Sequence, residues 1–284
     1  MKKIIKETNN SAVVGIVTAM LLIGLIVTVI SIIQLVYVPI IMEQREAEHM
    51  DRVAEQFGFI TSVIDNQAAD ERNNIPIASF LTLGSKELPF LVSSKAYGTL
   101  EVLENSCTIN IQNDSINNIY PIGTIKYSSS NAYYLDQSYN YEAGAMIVSQ
   151  SPGNKMLSRP AFNVEYNKTS KIVNISFDVV NISSIGQKTI AAGSGACGIQ
   201  TEFYDVSTNI TFTDIINMTI DTYFSNAWFN FLNNTLLKAG LNSNQFTLTK
   251  TDQAIDLNFV ATLTVNIFLR IIEIQAQIGP GWIE

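Results

Sequence analysis

The chain is poor in the residues that do chemistry. It has one histidine, His49, and two cysteines, Cys107 and Cys197, in 284 residues. Only 15% of its residues are charged, below the usual quarter. With a single imidazole, any Ser-His-Asp or Cys-His system must use His49. That residue lies in "EAEHMD". Glu43, Glu46 and His49 on one helix make a weak metal set, and a solvated charged face is the reading preferred for them. Two cysteines are too few for a disulfide scaffold and too widely spaced for a zinc motif. They fit either one bridge, Cys107 to Cys197, facing an oxidising exterior, or two buried thiols. "AAGSGACG", residues 191–198, has neither the G-x-G-x-x-G spacing nor a following G-K-[ST], so it reads as a tight turn and not a phosphate loop. Asp51/Glu55 and Asp70/Glu71 are spread along a helix face and not gathered into a site. No catalytic residue, cofactor or metal is expected, and the chain does not read as an enzyme. A net charge of −8 and a pI near 4.7 argue against a nucleic-acid partner, which needs a basic face.

What the chain does have is one long uncharged run. No residue from Thr8 to Met42 carries a charge, and within Val13–Val38 only Gln34 is strongly polar. About 20 apolar residues cross a bilayer core as a helix. We therefore expect a short N-terminus at residues 1–12 and a transmembrane helix at 13–41. Lys2, Lys3 and Lys6 precede the run, which places the N-terminus in the cytoplasm and residues 43–284 outside. The run is about twice the length of a signal-peptide core, and no small-residue cleavage site follows it. Gly15, Ala19, Gly24 and Thr28 are small enough to let other helices approach closely.

At Glu43 the character changes. Met50, Val53, Phe57, Ile60 and Ile64 recur at three- and four-residue steps among Glu, Gln, Asp and Arg. This predicts an amphipathic spine over 42–72, continuous with the apolar run. Pro39 removes one backbone donor and is expected to kink the helix without ending it. A helix from about Val13 to Asp65 would be roughly 80 Å long at 1.5 Å per residue. Its first half lies in lipid or against other apolar helices. Its second half has one face for another element to cover.

From residue 73 to 284 the pattern is strand-like: "YGTLEVLENSCTINIQ", "KIVNISFDVVNIS", "NQFTLTKTD" and "IDLNFVATLTVNIFLRIIEIQAQI" alternate. Polar and Gly/Pro-containing clusters at 121–131, 151–160 and 184–198 read as separators. An α+β chain follows, with a long N-terminal helix and a β-rich, sandwich-like head. One later helix is expected in "DTYFSNAWFNFLNNTLLKAG", with Trp228 as a core anchor and Lys238 and Gly240 at its end.

These segments resemble archaeal type IV pilin-like, membrane-anchored envelope proteins. "AVVGIVTAMLLIGLIVTVISIIQLVYVP" followed by "EAEHMDRVAEQFGFI" is similar to their anchor and spine. "LTLGSKELPF", "YGTLEV" and "YNYEAGAMIVSQSPGNKMLSRPAF" resemble their heads. The resemblance implies a structural surface protein, a subunit or accessory of a filament or envelope, with membrane lipid and similar helices as its partners. It also implies a processing site between Ala12 and Val13. There the chain departs from the family: Ser11 and not a basic residue precedes Ala12, and Val17 stands where bacterial pilins often carry glutamate. The alternative is an uncleaved surface receptor or adhesin, with Tyr133, Tyr134, Tyr139 and Tyr141 as its contact patch.

Asn-x-Ser/Thr sequons begin at Asn9, Asn113, Asn167, Asn174, Asn181, Asn209, Asn217 and Asn233. Asn9 falls on the cytoplasmic side, and the other seven are candidates for glycosylation on the outer side.

Overall fold

The structure is a computed structural model and describes residues 10–113, 117–151, 153–215 and 217–279. An α-helix, α1 (Asn10–Ile32), passes through a π-helical turn at Ile33–Tyr37 into α2 (Val38–Asp70) with no break. The π turn answers Pro39. A proline has no N–H for the carbonyl four residues back, and its ring crowds that carbonyl. Widening the preceding turn relieves the clash, and the Val38 N–H bonds to the Ile33 carbonyl instead. The helix stops at Asp70, within two residues of the end expected for the spine, where Glu71 turns left-handed at φ 51°. Packing against the head begins at Val38, inside the segment read as transmembrane.

The head contains β1 (Ile77–Thr82), β2 (Tyr97–Gln112), β3 (Asn117–Ser130), β4 (Gln137–Glu142), β5 (Ala145–Gln150), β6 (Gly153–Ser158), β7 (Ala161–Asn167), β8 (Ile172–Ser184), β9 (Ile190–Gly193), β10 (Ala196–Val206), β11 (Ile210–Phe212) and β12 (Asn217–Asp221). Helix α3 (Ser225–Lys238), β13 (Phe246–Lys250), β14 (Ala254–Phe259) and β15 (Thr264–Ile278) complete it. One sheet runs β1-β10-β15-β8-β7, with β11 also on β15. The other runs β13-β14-β12-β2-β3-β4-β5-β6, with β9 also on β2. Among the described residues every pairing is antiparallel except β8 with β15, parallel from Ile172↔Thr264 to Ser184↔Ala276. The expected α+β architecture holds. The separators do not: residues 121–130 belong to β3, where Pro121 pairs with Thr108 and Gly123 meets β8, β6 lies within 151–160, and β9 and the start of β10 lie within 184–198.

The two sheets enclose two hydrophobic cores, and the long strands serve both. On β15, Val265, Ile267 and Leu269 enter one core, while Ile272, Ile274, Ala276 and Ile278 enter the other. On β8, Val173, Ile175, Phe177 and Val179 enter the first, and Val180 and Ile182 the second. Side chains alternate across a strand, so this switch of parity puts the cores on opposite faces of one sheet. The first core holds α3. The second holds the apolar stripe of α2, in which Met50, Val53, Phe57, Ile60 and Ile64 are all buried as the periodicity predicts.

Where β3 crosses β8 the backbones nearly touch. A Cβ on Gly123 would lie 1.9 Å from the Ile182 carbonyl, so only glycine fits. Asn181 fastens this crossing. Its Oδ1 accepts from the Gly123 N–H at 2.7 Å, and its Nδ2 donates to both Glu273 oxygens at 2.9 and 3.0 Å.

Candidate functional site: the exposed helix and its seam with the head

From Val13 to Tyr37 the helix is touched by the rest of the chain only at Gln34 among the described residues, and its large apolar side chains are exposed all round. An apolar surface of this size facing water is strongly unfavourable, so something apolar must surround it. Gly15 and Gly24 have open space where a Cβ would stand, so a neighbouring helix can approach closely there. Ala19 and Thr28 are exposed on the same helix. The hydroxyls of Thr18 and Thr28 donate to the carbonyls of Val14 and Gly24, both at 2.8 Å. Both hydroxyls are therefore satisfied within the helix, as a lipid setting requires. Asn9 and the side chain of Ala12, the small residue of the inferred processing site, lie outside the described residues, while Val13 is exposed on the helix.

Below the apolar stretch, polar side chains of α2 reach across to head backbone or hydroxyl groups. Glu46 accepts from the N–H groups of Ala132, Tyr133 and Tyr134 at 3.1, 2.7 and 2.7 Å. The Leu83 carbonyl accepts from the Tyr127 hydroxyl at 2.7 Å and from His49 Nε2 at 3.3 Å. A carbonyl only accepts, so the His49 proton sits on Nε2. Burial pushes the His49 pKa below its usual value and favours this neutral ring. Gln56 exchanges two bonds with Thr82, and the Gln67 amide donates to the Thr201 carbonyl at 2.7 Å. These contacts at positions 46, 49, 56 and 67 lock the helix against sliding or rotating on the head.

Two sequence readings are corrected here. Glu46 and His49 do not form part of a solvated charged face, because both are fully buried. A helix that packs between two sheets buries more than its apolar stripe, and these polar groups find partners in the head. The tyrosine patch also dissolves. Tyr139 and Tyr141 are buried in the second core, Tyr133 and Tyr134 are half-buried, and the Tyr141 hydroxyl donates to Asp65 at 2.7 Å. We expect Glu46→Ala to cost about 2 kcal/mol, because three part-buried donors lose a charged acceptor. Urea denaturation of the full-length chain in detergent checks this, with Glu48→Ala, on the exposed face, as a near-neutral control.

The cysteines are not bridged. Cys107 lies in the first core and Cys197 in the second, and both are free and buried. The two-core arrangement separates them. Cys107 sits beside a feature the sequence reading missed, the buried carboxyl of Glu142. Glu142 Oε1 accepts from Trp228 Nε1 and from the Thr222 hydroxyl, both at 2.7 Å. Burial raises its pKa to about 7 against these stabilising bonds. Burial likewise pushes the Cys107 thiol well up, leaving it an unreactive packing residue.

The seven outer sequons differ in exposure and in what holds them. Asn167 and Asn209 are exposed, the first at the end of β7 and the second between β10 and β11. Asn167 Oδ1 accepts from the Thr169 and Ser170 N–H groups, which shapes an exposed turn. Asn233 is half-buried on α3, and Asn113 donates to the Thr213 carbonyl at the end of β2. Asn174, Asn181 and Asn217 are held by hydrogen bonds with Asn266, Glu273 and Asn258. Asn181 is committed to the β3–β8 crossing, so a glycan there conflicts with the fold.

A groove of about 560 Å³ lies between β6 and α3, with Lys155, Arg159 and Lys238 among its lining residues and no carboxylate. Among the described residues no group of three or more His, Cys, Asp or Glu side chains is placed to hold a metal ion.

The arrangement defines a class: one long apolar-to-amphipathic helix locked into a two-sheet β-rich head. Residues 10–267 match the model of a family of unknown function, DUF7289. The chain belongs to that family. Among curated proteins, none matches it.

Proposed function

We propose that this chain is a membrane-anchored surface protein of pilin-like plan. Its apolar helix sits in the membrane, and its head is displayed outside as a subunit or accessory of a filament or of the cell envelope. One observation carries the reading. A single unbroken helix is exposed and apolar in its first half, long enough to cross a bilayer, and then becomes the locked spine of the head. Such a helix transmits position rigidly from membrane to surface, which a filament subunit or fixed display stalk needs. The resemblance of the anchor, spine and head segments to archaeal pilin-like envelope proteins supports it. The exposed Asn167 and Asn209 are the sequons we assign to glycans.

The basic groove between β6 and α3 favours a second reading, an uncleaved surface receptor or adhesin that binds an anionic ligand. One preparation tests both. Membranes are washed with alkaline carbonate, and the N-terminal peptide of the retained protein is weighed by mass spectrometry. We expect the chain to stay with the membrane, and its release into the wash would overturn the anchor. An N-terminus at Val13 selects the filament reading. An N-terminus at Met1 or Lys2 selects the fixed receptor.

A further inference from the structure

The loop between β1 and β2 ends in an apolar tip, Leu88–Pro89–Phe90–Leu91–Val92. Phe90 is fully exposed, Val92 is 82% exposed and Leu91 is exposed beside them. Phe90 holds a left-handed backbone, φ 66°, a conformation that is unfavourable for an aromatic residue. A soluble head gains nothing from holding a phenylalanine out into water at that cost.

The tip's position explains it. The Gln34 side-chain amide donates to the Val92 carbonyl, so the loop lies against the π-helical turn of the long helix. Gln34 is the only strongly polar side chain in Val13–Val38, and it is used to hold this loop. Within six residues of it along the helix Leu35, Tyr37 and Ile40 are exposed, and the tip held at Gln34 exposes Phe90, Leu91 and Val92. Charges begin just beyond. Arg45 Nη1 approaches the Glu87 carbonyl at 3.5 Å, Lys95 pairs with Glu87 at 3.4 Å, and Lys86 and Glu43 are exposed. About 20 residues of helix span the hydrocarbon, so a span beginning at Val13 reaches the far interface near Ile33. The tip therefore stands at the depth where acyl chains meet headgroups, with Arg45, Lys86 and Lys95 at headgroup level.

We propose that residues 88–92 insert into the outer leaflet beside the helix, giving the head a second lipid contact. A head held by a helix alone can tilt about the point where the helix emerges. A wedge fixed to that helix by Gln34 and to the head by β1 and β2 sets the tilt. The inference rests on the membrane reading of Val13–Val38, and its occupant is the lipid of the same bilayer.

The test uses the full-length chain at one copy per nanodisc of phosphatidylcholine and phosphatidylglycerol. A polarity-sensitive fluorophore is attached separately to Phe90→Cys, to Leu25→Cys within the apolar helix and to Tyr223→Cys on the head. The expected result is a blue-shifted Phe90→Cys probe, quenched severalfold more by acyl-chain nitroxide lipids than the Tyr223→Cys probe and spared by aqueous iodide. If the Leu25→Cys probe is lipid-quenched but the Phe90→Cys probe is iodide-quenched, the wedge is wrong while the anchor stands. If the Leu25→Cys probe is not lipid-quenched, the membrane reading fails and the wedge with it. Protection of the Phe90→Cys probe that appears only with several copies per disc, without lipid quenching, would assign the tip to a second chain and overturn the proposal.

Discussion

Trp228→Ala is expected to destabilise the head by about 4 kcal/mol. The indole is completely buried and stands edge-on to Phe177 at 6.3 Å and to Phe231 at 6.0 Å between centroids. Phe162 extends this aromatic cluster from β7, at 5.1 Å from Phe177 and 5.7 Å from Phe231. Removing the indole opens a cavity between α3 and the sheet and strips Glu142 of its Nε1 donor. Trp228→Phe keeps most of the volume and loses only the donor, so its loss should be smaller. Urea denaturation of the full-length chain in detergent, followed by far-ultraviolet circular dichroism, measures both. Equal losses in the two variants would mean that the hydrogen bond and not the packing is what the indole contributes.

The second large effect depends on pH. Burial raises the Glu142 pKa from 4.5 to about 7 in the folded chain. Below 4.5 both folded and unfolded chains hold the proton, and the contribution to stability is fully present. Between 4.5 and 7 the unfolded chain releases its proton and the folded chain does not, so stability falls as pH rises. Above 7 the accumulated loss reaches about 3 kcal/mol. Glu142→Gln keeps an acceptor for Trp228 and Thr222 but has no proton to release. It should match the parent near pH 4.5 and exceed it above pH 7 by up to about 3 kcal/mol. His49 works in the opposite sense. Its lowered pKa gives stability that is present above 6.5 and lost as pH falls through the folded value. Comparing variant with parent at each pH cancels that contribution. Parallel profiles for parent and variant would show that folding leaves the Glu142 pKa unshifted, and would overturn this prediction.

Much of this architecture is legible in the sequence because it rests on local period. The uncharged run, the stripe from Met50 to Ile64, the alternating strands and the α3 face centred on Trp228 need no knowledge of distant residues. What escapes is set by long-range contact. Glu46 and His49 look like solvent-face residues, because helical periodicity sorts polar side chains outward. Their partners lie far along the chain, at residues 132–134, Leu83 and Tyr127. The same limit hides Glu142, whose partners Thr222 and Trp228 are 80 and 86 positions away. Strand period does not reveal which face is covered, so the two cores, and with them the separation of Cys107 from Cys197, emerge only from the topology. Residues 121–130 were misread because Pro121 and Gly123 usually punctuate, whereas here the glycine permits two backbones to cross.

The parallel pairing of β8 with β15 has a consequence for how the molecule is made. β15 is also the neighbour of β10 and β11, and it supplies residues to both cores. Its partners on β8 lie some 92 positions earlier, so neither core can close until this strand has emerged. Contacts of such long range fold slowly, since the loop must be ordered before the pairing stabilises it. During synthesis the exposed apolar helix is available first, and the sheets stay open with unpaired edges until near the end. On the membrane anchorage proposed above, a nascent chain of this design is tethered before it is folded, which confines the vulnerable open sheets to a surface and keeps them from meeting one another freely in solution.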